Sequence, residues 1–150
     1  MVVQVDSREK THIITDILKQ FEEADVQYVI SKLYVGDYMI YGHPEIVVDR
    51  KHNLAELAGN VTKEHDRFAN ELKNAKSVGT KIVILVEENN ISSLEDIKTW
   101  KSRNTKVKGE VLFKILSTMI SETDKYDFDI KFCKKTETGK TILKILRKEI

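Results

Sequence analysis

The chain has only one cysteine, Cys133, among its 150 residues. A lone cysteine permits neither an internal disulfide nor a cysteine zinc cluster. No apolar run approaches the roughly 18 residues that cross a membrane, and no basic segment precedes the short apolar run 2–5, so no secretory signal is predicted. Internal repeats, low-complexity tracts and linkers are also missing. We therefore expect one intracellular domain spanning residues 1–150, without membrane association.

Charge is distributed unevenly although the net charge is only +1. Residues 1–100 contain 12 Lys and Arg against 17 Asp and Glu, whereas residues 101–150 contain 13 against 7, so the balances are −5 and +6. An acidic part suits a metal site, and a basic part suits a phosphate-binding surface. Random drift in a highly charged protein is the alternative explanation.

The hydrophobic pattern alternates between strand-like and helix-like segments. Strands are predicted at residues 2–5, 26–35, 38–41, 46–48, 81–86 and 128–132. Helices are predicted at residues 13–21, 54–61, 68–75, 112–120 and 142–146, with a break near Gly59-Asn60 and a short helix from Ser92-Ser93 to Trp100. The run 81–86 is apolar on both faces, as expected for a central strand covered by helices. The sequence therefore predicts an α/β fold with a mixed central β-sheet flanked by helices.

A predicted hairpin brings several charged residues together. Gly36-Asp37 leads into it, Gly42-His43-Pro44 marks its turn, and its returning strand ends at Asp49-Arg50-Lys51. Residues i and i+2 of a strand share a face, so Asp49 and Lys51 should point together, with Asp37 brought alongside. Asp6, which leaves the first strand, is a candidate for a further carboxylate.

Such a group suits phosphodiester hydrolysis. A divalent metal neutralises phosphate charge and lowers the pKa of a bound water. Because Mg²⁺ prefers oxygen ligands and keeps several waters, two or three carboxylates suffice to hold it. A nearby lysine can orient the water or stabilise the transition state.

The acid-x-Lys spacing alone is not specific in this chain. It also occurs at Glu71-Leu72-Lys73, Asp96-Ile97-Lys98 and Asp129-Ile130-Lys131. The first two are predicted on helices, where residues i and i+2 diverge, and no Gly-Asp hairpin leads into the third. Context therefore favours Asp49-x-Lys51, and the alternative is a solvated strand end.

Three linked motifs resemble the nuclease domain of the XPF/Mus structure-specific endonucleases. They are Val5-Asp6-Ser7-Arg8-Glu9, Leu33-Tyr34-Val35-Gly36-Asp37-Tyr38 and Ile46-Val47-Val48-Asp49-Arg50-Lys51. The family pattern is Val-Asp-x-Arg-Glu, then Gly-Asp, then Glu-Arg-Lys-x-x-x-Asp, and the match covers residues 2–76 in order and spacing. The resemblance implies a restriction-endonuclease-like fold of the PD-(D/E)xK superfamily.

The resemblance also implies roles for individual residues. Asp37 and Asp49 are expected to bind metal, with Asp6 as an additional carboxylate, and Lys51 is expected to be catalytic. Supporting roles are expected for Arg50 and for the group Asp6, Arg8 and Glu9. Arg67-Phe68 with Glu71 resembles the Arg-Phe-x-x-Glu helix of short bacterial and phage members; a surface ion pair between Arg67 and Glu71 is the alternative.

The chain departs from the family pattern in three ways. Asp49 replaces the usual glutamate, which keeps the charge but shortens the reach. The trailing acid falls on Ala55, with Glu56 beside it as a possible substitute. We expect a single nuclease domain, without the helix-hairpin-helix or helicase domains of many relatives.

Two further segments are candidates for DNA contact. The loop from Trp100 to Lys108 carries an aromatic residue and several cations that suit a nucleic-acid backbone, although a core tryptophan with a solvated basic rim is the alternative. Thr138-Gly139-Lys140-Thr141 suggests a phosphate loop, but Lys134 stands where that pattern needs glycine, so a helix N-terminus is the better interpretation. The predicted DNA contacts are Arg67, Lys101, Arg103, Lys106, Lys108 and Lys140.

The leading hypothesis is a Mg²⁺- or Mn²⁺-dependent DNA endonuclease, with selectivity for branched or flap DNA in repair or recombination. It implies no nucleotide cofactor, a homodimer or partner protein for targeting, and a cytoplasmic or nucleoid location. One alternative is a catalytically inactive scaffold for DNA docking or dimerisation, and another is a nuclease that acts on RNA.

Overall fold

The structure is a computed structural model that describes residues 1–150. Six strands form the sheet: β1 Val2–Val5, β2 Gln27–Ile30, β3 Tyr38–Ile40, β4 His43–Lys51, β5 Lys81–Glu87 and β6 Phe128–Cys133. Five α-helices surround it: α1 Thr15–Glu23, α2 Leu54–Val61, α3 His65–Ser77, α4 Gly109–Ser121 and α5 Thr138–Leu146. Two short 3₁₀ helices lie at Leu94–Thr99 and Lys135–Glu137.

The sheet is mixed, with the spatial order β2-β1-β3-β4-β5-β6. Strand β3 runs antiparallel to both β1 and β4. The remaining pairs, β1 with β2, β4 with β5 and β5 with β6, are parallel. This is the mixed, helix-flanked sheet that the sequence predicts, and the restriction-endonuclease-like fold class is confirmed.

The side chains of β5 separate two hydrophobic cores. Ile82, Ile84 and Val86 face a core built mainly with α2, α3 and α4. Val83 and Leu85 face the opposite core, which α1 and α5 complete. The two-sided apolar pattern of β5 therefore reflects helices on both faces, as predicted.

Among the element boundaries that differ from the prediction are the end of β2 and the break between α2 and α3. The strand predicted over 26–35 ends at Ile30, because the last ladder bond is donated by Ser31 N–H to the Val5 carbonyl and Leu33 N–H donates instead to the Asp6 carboxylate at 2.8 Å. The break between α2 and α3 lies at residues 62–64 rather than near Gly59-Asn60.

The hairpin turn is also tighter than predicted. His43 pairs with Ile40, so His43 and Pro44 already belong to β4, and Tyr41-Gly42 makes the turn.

None of the helices combines the length and apolar character that crossing a lipid bilayer requires.

Candidate active site

The carboxyl ends of the parallel strands β4 and β5 lie at one edge of the sheet. Asp49 and Lys51, near the end of β4, point the same way, with Lys51 Nζ 3.3 Å from Asp49 Oδ2. Both side chains are largely buried, at 16% and 14% exposure. The predicted sharing of one face is therefore observed.

The hairpin fixes Asp37 beside this pair. The N–H of Asp37 donates to the Val48 carbonyl at 2.8 Å, and Asp37 Oδ2 accepts from the Arg50 N–H at 2.8 Å. Gly36 makes this approach possible: its φ is +74°, and a β-carbon there would collide with Val47 Cγ1. Backbone contacts with β4 therefore set the position of the Asp37 carboxyl.

Asp37 and Asp49 form a close carboxyl pair. Burial, together with the negative charges of Asp49 and Glu9, raises the pKa of Asp37 to about 9, against the lowering effect of the Arg50 N–H. At neutral pH the pair therefore keeps a proton on Asp37, because two adjacent buried carboxylates repel each other.

Lys51 stays charged beside this pair. Burial alone would lower the pKa of its ammonium, but the charges of Asp49 and Glu56 outweigh burial and raise it. A lysine in this state is a cation at neutral pH, so it suits transition-state stabilisation or the orientation of water rather than proton abstraction.

Arg50 points away from this pair into a buried network. Its guanidinium lies 3.1 Å from Glu9 Oε1 and 2.8 Å from Glu87 Oε1, with only 9% of the side chain exposed. Tyr38 Oη donates to Glu9 at 3.0 Å, and Thr138 Oγ1 donates to Glu87. The network joins β3, β4, β5 and α5 behind the carboxyl pair, so Arg50 and Glu9 are placed to support it.

Glu87, Tyr38 and Thr138 also belong to this network, and the sequence did not predict them as members. Glu87 is 7% exposed although it is charged. The sequence feature that could have identified Glu87 is its position directly after the most apolar strand segment of the chain, residues 81–86. A buried charge needs a partner, and Arg50 is that partner.

Asp6 is fully engaged elsewhere. Its Oδ1 accepts from Leu33 N–H at 2.8 Å, and its Oδ2 lies 2.6 Å from Arg8 Nε. Arg8 also donates to the Leu33 carbonyl at 3.3 Å. The structure therefore places Asp6 and Arg8 as anchors of the 31–37 loop and does not bring Asp6 into the carboxyl pair.

Two further acids approach Asp49 and Lys51. Burial raises the pKa of Glu56. The charges of His52 and Lys51 act to lower this pKa, and the negative charge of Asp49 acts to raise it. Burial and then the charge of Asp49 also raise the pKa of Glu71. Glu56 from α2 and Glu71 from α3 therefore both interact electrostatically with Asp49 and Lys51.

Arg67 forms an ion pair, but not with Glu71, the partner suggested by the i,i+4 spacing. Arg67 Nη1 lies 3.0 Å from Glu64 Oε2 rather than against Glu71. Arg67 lines a cleft with Arg8 and Gly36, whereas Lys101, Lys106 and Lys108 line a separate cavity of 360 Å³ with Trp100. Trp100 is half-buried and packs against the core, so it is both a core contact and part of the cavity wall.

The segment 138–141 is a helix N-terminus, as the sequence indicates. Gly139 packs so closely on α1 that a β-carbon would meet Gln20 Oε1 and the Ile17 carbonyl. The N–H of Lys140 donates to Gln20 Oε1 at 2.9 Å. The glycine is therefore explained by the packing of α1 on α5, and the exposed Lys140 side chain is left at the surface.

The donor set at the sheet edge fits a divalent cation. No group of three or more His, Cys, Asp or Glu side chains converges closely enough to form a complete metal cage. However, Mg²⁺ commonly takes only one or two protein carboxylates and completes its shell with water and phosphate oxygens. Asp37 and Asp49 meet this need, and a cation between them would remove the repulsion that keeps a proton on Asp37.

Comparisons with known proteins agree with this geometry. The ERCC4 domain family matches residues 5–145. The fold is similar to XPF from Aeropyrum pernix, with a TM-score of 0.68 and 17% identity over 99% of this chain and 61% of that one. A second structure, of XPF from Aeropyrum pernix in complex with DNA, gives a TM-score of 0.65 and 19% identity over 99% of this chain and 64% of that one.

The chain thus spans less than two thirds of the length of these structures. No curated protein matches it. At this level of identity the two structures support the fold, whereas the family match covers nearly the whole sequence. With its three motifs assembled at one sheet edge, the chain belongs to the ERCC4 domain family.

Proposed function

We propose that this chain is a divalent-metal-dependent DNA endonuclease that hydrolyses phosphodiester bonds to leave 3′-hydroxyl and 5′-phosphate ends. The observation that carries the proposal is the partly buried Asp37–Asp49 pair with the Lys51 ammonium 3.3 Å from Asp49. A pair of carboxyls that repel each other is costly for a scaffold to keep. It is useful in a site that binds a cation and a polyanion.

Each residue has a distinct task in this proposal. Asp37 and Asp49 would hold Mg²⁺ or Mn²⁺, which would supply neutralisation of phosphate charge and a more acidic water. Lys51 stabilises the negative charge that develops on the phosphate, or orients the attacking water, with its own charge maintained by Asp49 and Glu56. Asp49 in turn holds the Lys51 ammonium in place.

The supporting residues keep these groups in position. Arg50 neutralises Glu9 and Glu87 behind the pair, and Asp6 with Arg8 fixes the loop that delivers Gly36 and Asp37. Such preorganisation matters because small displacements of reacting groups greatly reduce rates. We therefore assign Arg50, Glu9, Asp6 and Arg8 to positioning.

We further propose that the domain acts on branched or flap DNA and that a second copy or a partner protein helps to target it. Arg67, Lys101, Arg103, Lys106, Lys108 and Lys140 are the proposed backbone contacts. Their side chains belong to residues that are exposed or half-buried, so they are available to phosphates.

A cleavage assay on a panel of DNAs tests the proposal. Splayed, flapped, four-way and fully paired DNA should be incubated with Mg²⁺, with Mn²⁺ and with EDTA. We expect metal-dependent cutting, strongest on branched substrates; absence of cutting on every DNA contradicts the proposal. An RNA version of the flap in the same assay distinguishes a nuclease that acts on RNA.

Calorimetry separates an enzyme from an inactive scaffold. The endonuclease should bind Mg²⁺, and the double variant Asp37→Asn with Asp49→Asn should not. A wild-type chain without carboxylate-dependent binding of Mg²⁺ or Mn²⁺ supports the scaffold instead.

A further inference from the structure

A polar cleft lies beside Gly36, at the approach to the carboxyl pair. It has a volume of 660 Å³ and is lined by Arg8, Tyr34, Gly36, Arg67, Asn70 and Asn74, among others. Arg67, Asn70 and Asn74 recur at helical spacing, so one face of α3 forms a wall. The residues from Arg8 and from 34–36 line the cleft from the side of the sheet.

Tyr34 is unusually exposed for a tyrosine in this chain. Its relative exposure is 78%, whereas Tyr38, four residues later, is completely buried. Both neighbours of Tyr34 are buried, Leu33 at 2% and Val35 at 9%. Leu33 is also held by the hydrogen bond to Asp6. The backbone therefore anchors the base of Tyr34 while the ring remains free in the cleft.

The cleft presents positive charge beside this ring. The side chains of Arg8 and Arg67 are 61% and 77% exposed. Arg8 pairs with Asp6 and donates to the Leu33 carbonyl, and Arg67 pairs with Glu64. Because a guanidinium has five N–H donors, both side chains keep donors for another acceptor. Cations next to an exposed aromatic face are the combination that binds single-stranded nucleic acid.

The cleft lies next to the carboxyl pair. Gly36, which lines it, directly precedes Asp37, and Glu71, which also lines it, interacts electrostatically with Asp49 and Lys51. A strand that enters past Tyr34 is thus led toward the residues proposed to cut it. Without a bound cation, the negative charge of the acids at this end of the cleft would repel a phosphate.

We propose that Tyr34 stacks on an unpaired nucleotide of the DNA strand that is cut, with Arg8 and Arg67 contacting its phosphates. Within a duplex, neighbouring base pairs cover both faces of each base, so only an unpaired or terminal base offers a free face to the ring. The inference rests on the proposed function and specifies how the site selects DNA with a single-stranded segment.

Fluorescence anisotropy in EDTA tests this without cleavage. The probes are a labelled single-stranded oligonucleotide and a labelled duplex whose ends are closed by non-nucleotide linkers, so that it has no unpaired or free terminal base. Tyr34→Ala should weaken binding of the single strand by about tenfold, the typical loss of one stacked base, and should change duplex binding less than twofold. Tyr34→Phe, which keeps the ring, should restore binding.

Tyr41→Ala is the matched control. Tyr41 is 62% exposed but lies at the turn of the β3–β4 hairpin, outside this cleft. Its replacement should leave single-strand binding unchanged. A 2-aminopurine placed in the single strand should lose fluorescence on binding wild-type protein, and much less on binding Tyr34→Ala, because stacking quenches it.

The outcomes separate this inference from the proposed function. A wild-type chain that cuts DNA while Tyr34→Ala binds the single strand equally well overturns the role of Tyr34 alone. Equal loss in Tyr34→Ala and Tyr41→Ala also overturns it, since the effect is then not local. Loss of self-association with unchanged DNA binding assigns Tyr34 to a protein interface and rejects stacking. A chain that neither binds nor cuts DNA overturns both proposals.

Discussion

Asp37 Oδ2 accepts a 2.8 Å hydrogen bond from the backbone N–H of Arg50. The Asp37 N–H also donates to the Val48 carbonyl, so the residue is tied to β4 by both its backbone and its side chain. Arg50 lies between Asp49 and Lys51 in sequence, and its own side chain points into the buried network. The hairpin backbone therefore determines the separation of the two carboxyls.

Replacement of Gly36 tests this dependence. Gly36→Ala should lower the free energy of unfolding by about 2–5 kcal/mol, from positive φ and from crowding against Val47. Gly42→Ala is the control, since its φ is +80° but nothing lies within 4 Å of a β-carbon there. It should lose only about 1–2 kcal/mol. Urea unfolding measures both values, and equal losses would argue against the close approach.

The buried ion pairs of Arg50 should contribute more to the free energy of unfolding than the exposed ion pair of Arg67. Arg50→Met leaves Glu9 and Glu87 without their buried cation, so we expect a loss of about 3–5 kcal/mol in unfolding free energy. Arg67→Met removes an exposed pair with Glu64 and should cost about 0–1 kcal/mol. Chemical denaturation of the two variants compares them directly. Similar small losses would show that Arg50 is not a structural cation.

Lys51 should affect cleavage far more than folding. We expect Lys51→Ala to lower the single-turnover rate by about 10²–10³-fold, because a charge aimed at the transition state is lost. Lys131→Ala is the matched control. Lys131 belongs to the acid-x-Lys of the edge strand β6, lies 3.5 Å from Asp129, and its side chain is 37% exposed. A rate for Lys51→Ala equal to that of Lys131→Ala contradicts the catalytic assignment.

The raised pKa of Asp37 predicts how stability depends on pH. The unfolded chain releases this proton near the ordinary value of 3.8, whereas the folded chain keeps it until about pH 9. The unfolded state therefore binds fewer protons between these values, so stability without metal should fall as pH rises across this window. Asp37→Asn removes this contribution.

Denaturant unfolding in EDTA at several pH values between 5 and 9 measures the effect. The wild type should lose stability relative to Asp37→Asn as pH rises, and Mg²⁺ should stabilise the wild type more than the variant. Parallel pH profiles for the two proteins would show that Asp37 is ionised normally.

The sequence predicts the order of strands and helices well because the apolar periodicity records which faces are buried. The run 81–86 is apolar on both sides and is the strand between the two cores. The Gly36-Asp37 and Asp49-x-Lys51 motifs could be placed together because hairpin geometry relates them. Element ends were less predictable: β2 stops at Ile30, where Asp6 takes the N–H of Leu33.

Long-range partnerships could not be predicted from spacing alone. The pairing of Arg50 with Glu87 joins residues on neighbouring parallel strands. Thr138, which donates to Glu87, comes from the last helix. Arg67 pairs with Glu64 rather than Glu71 because side-chain rotamers, not only i,i+4 spacing, decide which acid is reached. The exposure of Tyr34 likewise depends on how the 31–37 loop is anchored.

The most direct test of the carboxyl pair compares Asp49→Ala with Asp129→Ala in single-turnover cleavage of a flap DNA with Mg²⁺. Both aspartates precede a lysine by two residues on a strand, but only Asp49 lies beside Asp37. We predict that Asp49→Ala reduces the rate by at least about 100-fold, whereas Asp129→Ala cuts at the wild-type rate. Undiminished cutting by Asp49→Ala would contradict the assignment of the active site.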